Sequence, residues 1–89
     1  MAKGMEQVFT NNLVEIMTSK GMTFAEVANV FAVVDGYLFA RRESQRPGED
    51  DDYRRFYAET LPRYREWADD ALAKYDLGVT IETIELMGI

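Results

Sequence analysis

Residues Thr23 to Arg42, TFAEVANVFAVVDGYLFARR, decide the fold. The stretch reads as one long helix with apolar residues around most of its circumference. Thr23 and Glu26 have capping-box spacing, in which each side chain satisfies a free backbone N–H at a helix start. Met22 and Val27 flank the cap at hydrophobic-staple spacing. At the far end, Arg41 and Arg42 suit the negative end of the helix dipole.

At about 100° per residue the helix has two faces. Val27, Val30, Phe31, Val34 and Leu38 make a large-residue face suited to a core. Ala25, Ala28, Ala32, Gly36 and Ala40, with Asn29 among them, make a small-residue face that lets another helix approach closely. The other helices are therefore expected to pack around this one. Asp35 breaks the pattern on the apolar sector, between Phe31 and Phe39. A buried carboxylate there must find a partner or shift its pKa.

The preceding segment repeats apolar residues at three- and four-residue spacing: Met5, Val8, Phe9, Leu13, Ile16 and Met17. That predicts an amphipathic helix over about 5–20, after a frayed start at Met1–Gly4. Gly21 follows as its C′ residue. The link to the central helix, 23–43, is so short that the pair must turn sharply. This is not a DNA-reading pair, because the second helix offers Phe, Val and Ala where base edges need Arg, Lys, Asn or Gln.

Glu43 to Asp52, ESQRPGEDDD, is a loop built on the turn dipeptide Pro47–Gly48. The acidic run Glu49–Asp52 suits the positive start of the next helix. It lacks the spacing and glycine of an EF-hand, so capping is preferred to a cation site. A third helix is predicted over 51–76. Tyr53, Phe56, Tyr57, Leu61, Tyr64, Trp67, Ala68, Ala71, Leu72 and Tyr75 share one sector, predicted to be core. Arg55–Glu59, Glu59–Arg63, Arg65–Asp69 and Asp70–Lys74 are spaced for i,i+4 ion pairs. Pro62 cannot donate to the carbonyl of Ala58, yet the apolar phase carries through it. One helix kinked near Pro62 is the expectation, with two helices joined near Thr60–Leu61 the alternative. Gly78 reads as its C′ glycine. In the tail, Ile81, Ile84 and Met87 behind Thr80 predict a short helix or ordered tail over 80–87, since a lone strand has nothing to pair with. The expected architecture is all-α: a compact bundle of three main helices plus this closing element, in a single helical domain over 1–89.

Composition narrows the function. The chain has neither cysteine nor histidine. That removes disulfides, thiolate metal sites, the commonest zinc ligand and the commonest general base. No cofactor, no metal and no enzyme activity are expected. The net charge of −6 argues against direct nucleic-acid binding, which needs a basic surface. From Glu66 onward there are six acids and only Lys74. The chain shows no secretory signal. Glu26, Asn29, Asp35 and Gly36 argue against the central helix as a membrane span. A cytoplasmic protein is expected.

Three features can carry function. Asp35 with Tyr37, Arg41 and Arg42 is the candidate for a small-ligand or nucleotide pocket between helices or subunits. The run Arg54 to Trp67 interleaves arginines with aromatics, but a helix places most arginines opposite the rings, which favours core plus solvated face over nucleotide grip. Surplus apolar surface predicts a homo-oligomer, most simply a twofold dimer, through Ala25, Ala32, Gly36 and Ala40 or through exposed aromatics of the third helix. The leading expectation is a small interaction module that binds a partner protein and inhibits it. Its acidic surface, Glu66, Asp69, Asp70 and Asp76, would act as a decoy for a basic groove.

Overall fold

The computed structural model describes residues 2–88, with side chains from Gln7 onward. Four helices follow one another: α1 (Ala2–Ser19), α2 (Phe24–Ser44), α3 (Asp51–Lys74) and α4 (Ile81–Leu86). They pack as a small helical bundle, with no strand among the described residues. α1 starts a few residues before the predicted boundary, and the Met5 side chain lies outside the described residues.

Local chemistry sets the helix ends. Gly21, at φ +73°, closes α1 in a Schellman motif: the Gly21 N–H donates to the Thr18 carbonyl at 3.0 Å and the Met22 N–H to the Met17 carbonyl at 3.2 Å. The expected capping box opens α2. The Glu26 N–H donates to Thr23 Oγ1 (3.2 Å), and the Thr23 N–H donates to Glu26 Oε1 (2.8 Å). The bond from the Thr23 N–H, and next to it the Thr23 hydroxyl, hold the Glu26 carboxyl below its usual range.

The end of α3 departs from expectation. Its left-handed C′ residue is Asp76 (φ +52°), not Gly78. The Leu77 N–H donates to the Leu72 carbonyl, and both leucines are buried in the core, the apolar clasp that accompanies this motif. Asp tolerates the left-handed region better than most residues, so the helix closes before the glycine. α3 runs unbroken through Pro62, which lies exposed, as its place on the polar face requires. Two residues earlier, the Thr60 hydroxyl donates to the carbonyls of Phe56 and Tyr57, both at 3.1 Å.

The core is made by Phe9, Leu13 and Met17 of α1, Val30, Val34 and Tyr37 of α2, Ala68, Ala71 and Leu72 of α3, and Ile81 and Ile84 of α4, with Leu77 between the last two helices. α2 is covered on its large-residue face and, at the C-terminal end of the small one, at Ala40. Ala25, Ala28, Asn29, Ala32 and Phe39 are exposed, so its small face is half bare rather than wrapped. Asp35 lies on that bare face and is exposed, contrary to the buried carboxylate expected.

The α2–α3 loop is held by the one buried charged side chain among the described residues, Glu43 (5% exposed). Its Oε1 accepts from the Tyr53 hydroxyl and from Arg46 Nη1 (3.0 Å). The Tyr53 bond outweighs burial and holds the Glu43 carboxyl below its usual range. The same bond pushes the Tyr53 phenol up to about 12. Asp50 completes the corner as N-cap, accepting the Tyr53 N–H at 2.8 Å.

A carboxylate whose pKa is lowered on folding adds stability above the unfolded pKa and loses it as pH falls through the folded value. Tyr53→Phe is therefore expected to lower Tm at neutral pH and to flatten the acid limb of Tm against pH. Thermal unfolding from pH 7 downward checks this. Parallel acid limbs for the two proteins would rule out Glu43 as a source of acid sensitivity.

Candidate functional site

Three surface regions come from this packing. The first is a cleft of about 460 Å³ where α2, α3 and α4 meet, lined by Tyr37, Arg41, Gln45, Ala58, Leu61, Pro62, Arg65 and Glu85. Tyr37 is 2% exposed. Its hydroxyl donates to Glu85 Oε2 at 3.0 Å, while Arg65 Nη2 holds Glu85 Oε1 at 3.1 Å. Burial, then the bond to the Glu85 carboxylate, pushes the Tyr37 phenol up, so it remains a donor at neutral pH.

Of the four residues predicted for a ligand pocket, the fold brings together two. Tyr37 and Arg41 are one helical turn apart and share the cleft. Asp35 points to another face of α2, and Arg42 lines a separate depression with Glu43, Gln45, Arg46 and Pro47. The cleft adds Arg65 and Glu85, which sequence reading missed. Arg65 was expected to pair with Asp69 and reaches Glu85 instead. Arg55 likewise pairs back to Asp52 (3.7 Å) rather than forward to Glu59.

The second region is acidic. Asp69, Asp76 and Glu82 line a cleft of about 450 Å³ at the α3–α4 junction, with Arg65 at its edge and Leu72, Leu77 and Val79 beside them. Glu66 and Asp70 are exposed on α3. Asp69 also has a structural task, since its Oδ1 accepts the Ile81 N–H at 2.9 Å and so satisfies a free donor at the start of α4. No group of acidic side chains among the described residues is disposed to hold a metal ion.

The third region is aromatic. Phe56 (59% exposed) and Trp67 (49%) lie open on α3, and Phe39 (46%) lies open on α2. This corrects the expectation that the whole aromatic sector of α3 is core. Tyr57 is the hub of edge-to-face contacts with Phe39, Tyr53 and Phe56, at centroid distances of 5.6, 5.2 and 5.1 Å. Tyr64 makes the same kind of contact with Trp67 at 5.6 Å. The width of that sector was the available signal, because one neighbouring helix covers a stripe of only about 100°.

The small stripe is divided. Ala25 and Ala32 are exposed, Gly36 is half-buried, and Ala40 is fully buried within the protomer, so it is not offered to a second copy. A Cβ built on Gly36 meets nothing within 4 Å. Among the described residues, no helix is long and apolar enough to cross a membrane. Comparison of the chain with protein families, with curated proteins and with solved structures returns no match. The class of protein is thus set by its own coordinates, a small all-α bundle with an acidic end and open aromatic rings.

Because Gly36 sits mid-helix beside open space, Gly36→Ala is expected to stabilise the protein by about 0.5–1 kcal/mol through helix propensity. Chemical denaturation measures it. A loss of stability would show that the space above Gly36 is already filled.

Proposed function

We propose that this chain is a cytoplasmic protein-interaction module, not an enzyme, that binds a basic surface of a partner protein through the acidic end formed by α3 and α4. The observation that carries the reading is the junction cleft, where Asp69, Asp76 and Glu82 stand around apolar side chains. An arginine or lysine of the partner would lay its aliphatic stem on Leu72, Leu77 and Val79 and its charge among the carboxylates. Glu66 and Asp70 extend the negative surface along α3 and steer the encounter. A partner that uses such a groove for nucleic-acid phosphates would be inhibited by occupancy, as by a decoy.

The test starts with capture of the partner from the native host and its identification by mass spectrometry, followed by affinity measured against salt. Affinity should fall steeply as salt rises. Glu66→Lys and Asp70→Lys should each weaken binding about tenfold, the equivalent of about 1.4 kcal/mol. Asp69 is left intact because it holds the first N–H of α4. Binding that ignores both salt and charge reversal would overturn the proposal.

A second reading rests on the Tyr37–Arg41–Arg65 cleft. There a guanidinium and a phenol already hold one carboxylate, that of Glu85. A small organic anion with an apolar body could lie on Leu61 and Pro62 beside them. A thermal-shift screen of nucleotides and organic acids is expected, on this reading, to raise Tm, and Arg41→Met to remove the shift. A flat screen would eliminate it.

A further inference from the structure

The open face of α3 carries a regular pattern. Tyr53, Phe56, Thr60, Arg63, Trp67 and Asp70 follow one another at alternating steps of three and four residues. That is the repeat of a coiled-coil seam, and at about 100° per residue the six positions fall within roughly 100° of the helix surface. Phe56, Arg63, Trp67 and Asp70 are exposed, and Tyr53 and Thr60 are half-buried. The two open rings are propped from behind, Phe56 by Tyr57 and Trp67 by Tyr64. Anchors already ordered in the free protein lose less entropy on binding.

We propose that this face binds the same face of a second copy of the chain, with the two α3 helices antiparallel across a twofold axis near Leu61–Pro62. The order of the side chains is what selects the occupant and the direction. In the antiparallel register each of the three pairs has positions summing to one value. Phe56 meets the second copy's Trp67, Thr60 meets its Arg63, and Tyr53 meets its Asp70. A parallel pair would set Asp70 directly on Asp70 and Arg63 directly on Arg63, whereas the antiparallel register moves the two Asp70 about 26 Å apart along the axis and offsets the two Arg63 by about 4.5 Å. Around the axis, the two Arg63 guanidiniums lie among Glu59 and Glu66 from both copies, so each cation has carboxylates in reach and the centre, with four carboxylates to two cations, stays net negative. A twofold contact of this kind uses one patch twice and closes on itself.

The seam from Tyr53 to Asp70 is about 26 Å long. One helix face of that length falls short of the roughly 800 Å² per partner of a standard interface, so the dimer is weak and depends on concentration. Each copy carries a net charge of −6. Salt screens that repulsion, so the dimer tightens as salt rises. The basic-partner complex proposed above weakens over the same range, so the sign of the salt dependence tells the two apart although Glu66 and Asp70 serve both.

The experiment uses the full chain. Sedimentation over a concentration series at low and high salt is expected to show a monomer–dimer equilibrium that shifts to dimer with salt. Phe56→Ala and Trp67→Ala should each return it to monomer with a modest loss of Tm but the fold retained, because only about half of each ring is buried in the monomer. Since the chain has no cysteine, Glu59→Cys and Lys74→Cys each place one spin label per copy. The antiparallel register sets positions 59 about 8 Å apart along the axis and positions 74 about 38 Å apart. Three results would overturn the proposal: a monomer at every concentration and salt, a dimer indifferent to both alanine variants, or equally short distances at positions 59 and 74.

Discussion

Among the described residues Tyr37 is the largest fully buried side chain, and its hydroxyl needs an acceptor. The acceptor is Glu85, which lies 48 residues further along the chain on a six-residue helix. Arg65 of α3 secures the other oxygen of that carboxylate. One polar contact therefore ties α2, α3 and α4 together, and it stands beside Ile81 and Ile84, which put the apolar side of α4 into the core. Without that docking, a helix so short would have no stability of its own. Asp69 on Ile81 and Thr80 on Thr83 finish the attachment by satisfying two of its free N–H groups.

Size explains what is left open. A chain of 89 residues buries a limited share of its surface, and its helices cover α2 and α3 on one side each. The two bare faces are not equivalent. Alanines such as Ala25 and Ala32 expose little apolar area. A half-exposed ring leaves about 100 Å² in water, which is about 2.5 kcal/mol of unrealised burial. By that measure the unrealised burial lies in the open rings, Phe56 and Trp67 on α3 and Phe24 and Phe39 on α2, and the alanines of the small stripe add little.

Features that depend on neighbours in sequence were legible in advance. The capping box of Thr23 and Glu26, the stop at Gly21 and the cap at Thr80 each involve groups within a few residues, and each stands where the sequence reading put it. The continuity of α3 through Pro62 was legible too, because apolar phase on both sides leaves one axis. Long-range choices were not. Nothing within a few residues of Arg65 marks Glu85 as its partner in preference to Asp69, four residues away. The exposure of Asp35 depended on which face of α2 went uncovered, and the periodicity there allowed either. Gly78 looked a better C′ residue than Asp76. The burial of Leu77 against the core fixed the stop earlier, at a mild conformational cost to Asp76.

The same division applies to the functional surface. Residue types alone marked the aromatic sector of α3 as core, because rings at helical spacing are usually buried. A sector that wide needs two neighbours. α2 reaches one edge of it, where Phe39 meets Tyr57, and the core takes Ala68, Ala71 and Leu72 at the C-terminal half. The remaining edge has rings, threonine and charge instead of uniform aliphatic residues. A surface of that composition remains soluble as a monomer yet holds a few ordered anchors. Replacing those anchors by leucines would make the face stickier and less selective, since the alternation of ring and charge is what distinguishes one register from another. The physical case for α3 as the recognition helix therefore rests on the order of its exposed residues more than on how apolar they are.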